Sequence, residues 1–460
     1  MIKKQNNRHV YRWFCAAILT LIAVGMFFFV WFRFVRVYNQ TSHLLGLGNL
    51  LMAAGLYIVL FLYFGFIVRA FKIGVERKVS TIAAIVLTLF LVDFIEIFVS
   101  LAITGQFRFF WKFLWRYALL FVVQAVVESA LSVFMINYFR KIFPPLQILE
   151  IFGDHEDHFY REVNGVPYKY HIAERCHYTD DSIESKIPLY DAVMINDIPA
   201  EIKNDILKVC YQADKRVYFI PKLSDIIIKS AEELNLFDTP LYMCRNEGLR
   251  DYQLFIKRAF DIASSFLALI ILSPLLLVTA LAIKLNDGGP VFYRQERCTI
   301  GGKRFMILKF RSMIVDAEKD GKTHPAGEHD DRITKVGRVI RAARIDELPQ
   351  LINILKGDMS VVGPRPERVE HVQIYTEEIP EFQFRYKIKG GLTGYAQVYG
   401  KYNTSALDKL KMDLVYITKF SLLLDFQIIM ETLKILLRKE STEGFSEARA
   451  AEMHDYSLSE

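Results

Sequence analysis

Asp346 and Glu347 stand side by side in the stretch Arg341–Pro366, which reads R-A-A-R-I-D-E-L-P-Q-L-I-N-I-L-K-G-D-M-S-V-V-G-P-R-P. Adjacent carboxylates can supply a nucleophile, a general base or ligands for a divalent cation. Taken alone, such a pair before a helix is far more often a cap than a catalyst. Its company changes the reading. Arg341 and Arg344 precede it, Arg365 is fixed between Pro364 and Pro366, and K-F-R-S-M at Lys309–Met313 lies upstream. Cations gathered around a carboxylate pair suit phosphoryl chemistry, because fixed positive charge offsets the repulsion between an attacking carboxylate and an anionic phosphate.

The elements that must hold these residues can be read from spacing. Leu348, Leu351, Ile352 and Leu355 fall on one side of a short helix, and Gly357 stops it. Asp346 is then expected at the N-cap, with Pro349 tolerated in the first turn and free backbone N–H groups facing any anion. Val291–Arg294 and Phe305–Phe310 alternate like two strands about the Gly301-Gly302 turn, a basic hairpin near a bilayer surface. Asp316–Asp331 is polar and reads as a loop, and Lys389–Gly394 is a glycine-rich turn whose backbone can approach a ligand. Two amphipathic stretches, 407–420 and 422–437, suit helices lying on a membrane or packing into the domain core.

A hydrophobic fraction of 52% with 36 Phe, gathered in long blocks, excludes an ordinary soluble enzyme. Blocks at about 13–32, 47–68, 82–103 and 117–136 are each near the length of a bilayer span, and the first is read as a span rather than a cleaved signal. Lys3, Lys4, Arg8, Arg12, Arg69, Lys72, Arg77, Lys78, Arg140 and Lys141 fall on one side; Arg33, Arg36, Arg108, Lys112 and Arg116 fall on the other. The richer side is cytoplasmic by the positive-inside preference, and it holds everything after Lys141. Asp93, Glu96 and Glu128 are expected to face the interior of the bundle. The net charge of +6 is modest and its basic residues flank the apolar blocks, which fits an anionic bilayer and not nucleic acid. Five scattered cysteines without ligand spacing indicate reduced thiols.

After Pro144-Pro145, residues 146–250 read as a small Rossmann-like α/β module with strands at Gln147–Phe152, Ala192–Ile195, Val217–Ile220 and Leu241–Cys244, and helices at about 199–213 and 223–236. Gly153-Asp154 follows the first strand without a glycine ladder, so no dinucleotide fingerprint exists. The module is a candidate spacer or dimerisation unit, which would make the chain a homodimer. A second membrane element, 258–284, follows. Ile262–Ile283 carries no charge, Ser273-Pro274 interrupts it, and basic residues flank both ends. A kinked spanning helix and a re-entrant helix pair hinged at Ser273-Pro274 both fit this pattern.

The segment from Phe255 to Leu437 resembles the bacterial sugar transferases, the polyprenyl-phosphate hexose-1-phosphate transferases or monotopic phosphoglycosyl transferases. The resemblance rests on K-R-x-F-D at Lys257–Asp261, the Ser273-Pro274 break, G-P-V-F-Y-R-Q-E-R, K-F-R-S-M, R-I-T-K-V-G-R at Arg332–Arg338, the I-D-E-L-P-Q-L-I-N-I-L-K-G-D-M-S-V-V-G-P-R-P stretch, and G-L-T-G-Y-A-Q-V at Gly391–Val398. Gly390 and Asp331 stand where that family usually carries proline, and Thr299-Ile300 alters the hairpin turn. The resemblance implies a membrane α plus α/β protein: a four-helix transmembrane bundle (1–145), the Rossmann-like module (146–250), a monotopic catalytic domain with a re-entrant helix and interfacial amphipathic helices (251–438), and a polar tail (439–460). It implies transfer of a sugar-1-phosphate from a UDP-sugar to undecaprenyl phosphate with release of UMP, at the cytoplasmic face of a bacterial inner membrane. That step would begin an exopolysaccharide, capsule or O-antigen, with glucose, galactose or an N-acetylated sugar as cargo. Asp346 would be the nucleophile, Asp346 and Glu347 would hold Mg²⁺, and Arg365 would bind nucleotide phosphates, with Lys309, Arg311 and Arg332 as weaker candidates. A silent scaffold and a metal-independent transferase using the carboxylates as base are the competing readings.

Overall fold

The computed structural model describes residues 2–38, 45–154, 160, 163, 165–234, 238–244, 248–315, 330–401 and 404–436. The expected loop at 316–331 lies largely outside these residues, and the polar tail 439–460 lies outside them entirely. The chain divides into two compact units, Met1–Pro221 and Lys222–Glu460.

The first unit opens with four long helices, α1 (Ile2–Val30), α2 (Leu47–Ile67), α3 (Lys78–Thr104) and α4 (Phe110–Ile142). Each is long and apolar enough to cross a membrane, as is one helix of the second unit, so the protein is membrane-associated. Gly105, at φ 68°, ends α3 in the left-handed conformation that a residue without Cβ adopts freely. Asp93, Glu96 and Glu128 are buried, as expected, and neither oxygen of Glu96 or Glu128 meets a hydrogen-bond partner among the described residues. The Tyr57 hydroxyl donates to Asp93 at 3.2 Å, and Ser100 and Tyr117 share a 2.7 Å bond.

A four-stranded parallel sheet follows, in the order β2-β1-β3-β4: β1 (Leu146–Phe152), β2 (Tyr170–His177), β3 (Ala192–Asn196) and β4 (Arg216–Phe219), with helix α5 (Ala200–Gln212) between the last two. The inner strands β1 and β3 carry the apolar runs that burial on both faces demands. Edge strand β2, which the sequence does not announce, alternates half-buried and exposed residues, with Cys176 alone buried in it. Leu241–Met243 is a strand, but it pairs antiparallel with Glu232–Leu234 outside this sheet. The helix expected at 223–236 stops at Ile228. The described residues between 222 and 250, a stretch that resembles the preceding module in composition, belong to the second unit, where Ile226 and Leu249 join a core with Val362, Phe382, Ile388 and Leu410.

The second unit is organised along α6 (Asp251–Asp287), a single assigned helix with Pro274 inside it, ended by Gly288 at φ 73°. Its apolar middle is largely bare, with Ile271, Leu277 and Val278 exposed. Both flanks of Pro274 are tied to the rest of the unit. Before it, Lys257 donates to Asp425 at 2.6 Å, and Arg258 caps two carbonyls at the end of the short helix α8 (Gln350–Lys356), those of Ile354 at 2.6 Å and Leu355 at 2.8 Å. Asp261 accepts from the Ser360 hydroxyl and the Val361 N–H, both at 3.0 Å. The K-R-x-F-D signature is therefore a lock of one helix onto three elements. After Pro274, Ile283 packs with Phe310 and Ile340, and Asp287 is paired with Arg311.

The hairpin forms as β5 (Phe292–Cys298) and β6 (Arg304–Phe310), longer than its alternation suggested, and α7 (Lys335–Ala342) is capped by the Thr334 hydroxyl, which accepts from Gly337 N–H at 2.8 Å. Two short strands, β7 (Ser360–Val362) and β8 (Gly391–Thr393), pair in parallel. Helices α9 (Ala406–Thr418) and α10 (Leu422–Leu436) turn Leu410, Leu414, Ile417 and Ile428 into the core, so their apolar faces are mostly used inside the protein. Leu407, Leu422, Leu423, Leu433 and Leu436 remain exposed on these two helices.

Candidate functional site

Asp346 and Glu347 sit in a 3₁₀ turn, Ile345–Glu347, entered through Arg344 at φ 56°. Asp346 is not a helix cap: α8 begins after Pro349, whose side chain accepts nothing, and Gly357 closes it at φ 98°. The left-handed Arg344 breaks the chain direction between α7 and the turn. The two carboxylates are thereby presented at a corner and not along a helix.

Strand β6 brings Lys309 to this corner. Asn353 of α8 clamps the strand, accepting from Leu308 N–H and donating to Met306 O, both at 2.9 Å. Lys309 Nζ then lies 3.0 Å from Glu347 Oε1, and an Arg365 terminal nitrogen reaches the same oxygen at 2.9 Å. Glu347 is thus ion-paired with two cations through a single oxygen. Burial disfavours its charge, yet Arg365, Lys309 and Arg344 outweigh burial and hold its carboxyl well below the usual glutamate range. Burial pulls Lys309 down, against the opposing pull of Glu347.

Asp346 differs from its neighbour. It is half-buried, and no protein donor reaches it among the described residues. Burial and the adjacent Glu347 push its carboxyl up, with Lys309, Arg341 and Arg344 opposing. One carboxylate is therefore ion-paired with two cations, and the other, half-exposed, has no ion pair of its own among the described residues.

Arg297, Lys309 and Arg365 line a cleft with Ile307, Gln350, Pro366 and Gly391. Among the described residues Glu347 alone is ion-paired with any of these three cations, so the cleft favours an anion. Arg297 went unrecognised in the sequence although it lies in the quoted Q-E-R. Burial and the neighbouring Arg365 lower its guanidinium to about 10, with Glu367 opposing. The glycine-rich turn serves packing: a Cβ on Gly391 would come within 2.1 Å of Gly363 N, so the residue is needed for backbone to meet backbone beneath Arg365.

Two expected cations stand elsewhere. Arg311 is buried and paired with Asp287, and strand β6 ends before it, so it turns away from Lys309. Arg332 forms a 2.6 Å pair with Asp330. Among the described residues no group of three or more His, Cys, Asp or Glu could hold a metal. A carboxylate pair is still compatible with Mg²⁺, which is commonly held by one or two carboxylates together with substrate phosphates, and Asp346 would then offer the open oxygens.

Residues 252–439 match the family model described as bacterial sugar transferase. The Aeromonas hydrophila UDP-N-acetylgalactosamine-undecaprenyl-phosphate N-acetylgalactosaminephosphotransferase is 38% identical over 255 residues, covering 54% of this chain and 59% of its own. A UDP-glucose:undecaprenyl-phosphate glucose-1-phosphate transferase from Klebsiella pneumoniae is 36% identical over 310 residues, 65% of this chain and 64% of its own. One of the same description from Caulobacter vibrioides is 44% identical over 191 residues, 40% of this chain and 71% of its own. The chain spans about three-fifths of the length of the first two of these relatives.

Proposed function

Because the chain belongs to the bacterial sugar transferase family, we propose that it moves a sugar-1-phosphate from a UDP-sugar to undecaprenyl phosphate and releases UMP. The observation that carries this reading is the unpartnered, half-buried Asp346 beside a cleft of three cations. In the proposed first step an Asp346 oxygen attacks the sugar-bearing phosphorus. The bond from that phosphorus to the UMP oxygen breaks, leaving an aspartyl phosphosugar. In the second step an oxygen of undecaprenyl phosphate attacks the same phosphorus and Asp346 departs as carboxylate. Splitting the transfer lets a water-soluble donor and a bilayer-bound acceptor use one site in turn.

The chain's own residues supply the conditions. Arg365 and Arg297 neutralise the donor diphosphate, and Lys309 is held by Glu347 where charge builds on the transferred phosphoryl group. Bound Mg²⁺, held by Asp346 and Glu347 with the donor phosphates, would add Lewis-acid neutralisation of the same charge. With wild-type protein, undecaprenyl phosphate and a panel of UDP-sugars, UMP should appear with at least one sugar. It should stop on addition of a chelator and return with excess Mg²⁺. Absence of UMP with every sugar would sink the reading, and undiminished release under chelation would remove the metal from it.

The re-entrant form of α6 belongs to the same proposal. Its support is that Arg258 and Asp261 on one flank of Pro274, and Ile283 and Asp287 on the other, are all held by one compact unit. A 37-residue helix would be about 55 Å long if straight, more than a bilayer core requires. With both ends at the cytoplasmic face of the inner membrane, the site stays on the side where UDP-sugars are made. Cysteines introduced just before Lys257 and just after Lys284 should both resist membrane-impermeant thiol reagent applied outside intact cells. Labelling at one of them would mean a spanning helix. Initiation of an exopolysaccharide, capsule or O-antigen is the pathway this reaction would serve.

A further inference from the structure

Resting on the reading that Arg365 meets the donor phosphates, we infer that Arg385 is a positioning residue for the nucleotide donor, acting only through Arg365. The loop that carries Arg365 is short of means to fix itself, since Pro364 and Pro366 have no N–H to donate. It is held by its carbonyls instead. Gly391 N–H donates to Pro364 O at 2.9 Å, Arg385 donates to Arg365 O at 2.9 Å, Arg297 donates to Pro366 O at 3.1 Å, and Cys298 N–H donates to Glu367 O at 3.2 Å. Four successive carbonyls are thus gripped from strands β5 and β8 and from the 3₁₀ segment Pro380–Lys387. Of these four, the Arg385 contact bears directly on the residue whose side chain reaches Glu347.

Arg385 is built for that task and for no direct contact with substrate. Its side chain is 2% exposed, lies 2.8 Å from Asp413 and 3.8 Å from Glu367, and is placed over the Phe382 ring at 4.8 Å. Asp413, on α9, is 1% exposed. A buried cation with a buried counter-ion costs desolvation, and a neutral donor would satisfy one carbonyl more cheaply. What the charge adds is a fixed guanidinium whose one terminal nitrogen serves both Asp413 and the Arg365 carbonyl. Helix α9 is thereby coupled to the height of Arg365 over the cleft. A shift of the loop by an ångström would take Arg365 off its oxygen on Glu347 and move the positive charge the donor must meet.

A double-mutant cycle on the full chain, reading the affinity for UDP at fixed Mg²⁺, tests this. Arg365→Ala should weaken UDP binding about tenfold or more. Arg385→Lys keeps a cation for Asp413 but lacks the planar fork, and should weaken binding about fivefold to tenfold when Arg365 is present. In the Arg365→Ala background it should change nothing, since the residue it positions is gone. An equal loss in both backgrounds would overturn the inference and leave the donor reading standing, as would an Arg385→Lys protein binding UDP like wild type. If Arg365→Ala itself binds UDP normally, the donor reading fails and the inference falls with it. Should the lysine variant not fold, Asp413→Asn, which keeps Arg385 and loses its anchor, runs the same cycle with the same expected non-additivity.

Discussion

Asp346→Asn should lower UMP release by on the order of 10⁴-fold, the scale on which enzymes respond to loss of a covalent nucleophile. The amide is nearly the same shape, so loss of fold is not the expected cause. Folding should in fact be unharmed or improved at neutral pH. Burial and Glu347 raise the Asp346 carboxyl, which means the folded state binds its proton more tightly than the unfolded chain does. Ionised Asp346 therefore weighs against the fold, and an amide relieves that load. The same shift fixes the sign of the pH dependence. Attack requires the carboxylate, so wild-type activity should fall as pH drops through a midpoint above the ordinary aspartate range. Initial rates from about pH 4 to 8, with melting temperatures of both proteins, check both statements. An asparagine variant that releases UMP at the wild-type rate would exclude the covalent scheme.

Glu347→Gln is the second large effect, and its cause differs. One oxygen of Glu347 accepts from Lys309 and Arg365, so the change leaves two cations facing a neutral amide. UMP release should fall roughly 10²- to 10³-fold, the range for removing one preorganised electrostatic element from an active site. Stability should fall too, by about 1 to 3 kcal/mol, which is less than for a wholly buried pair because Arg365 is 39% exposed. Because the Glu347 carboxyl is depressed in the fold, its contribution is complete above the ordinary glutamate range and is lost progressively as pH falls toward the depressed value. Urea unfolding of both proteins should accordingly show a gap at pH 7 that narrows as the solution is acidified below about pH 4. A gap that widened on acidification would mean that the pairing is not what stabilises the wild type.

What the sequence disclosed about this site follows a physical division. Asp346, Glu347 and Arg365 could be picked out because contiguous residues, a helix stop at Gly357 and two prolines fix their relations locally. Lys309 could be found from strand alternation, whereas Arg311, two positions on, could not be told apart from it. The strand ends at Phe310, so alternation no longer governs where Arg311 points. Arg297, Asn353 and Arg385 act on carbonyls or strands 20 or more positions away in sequence, contacts that no periodicity encodes. The same holds for residues 222–250, where composition resembles the preceding sheet but Ile226 and Leu249 are buried with Phe382 and Leu410. The inner strands and long helices were legible because burial on both faces, or along a whole span, leaves an unbroken apolar run.

The lock made by Lys257, Arg258 and Asp261 means that the lipid anchor of this protein is not detachable. Trimming the chain to begin after α6, as one would to obtain a soluble enzyme for crystallisation or screening, would strip Asp425 of its cation at 1% exposure and leave the end of α8 and the start of β7 without their partners. The fragment would lose the floor beneath the Asp346-Glu347 corner along with its tether.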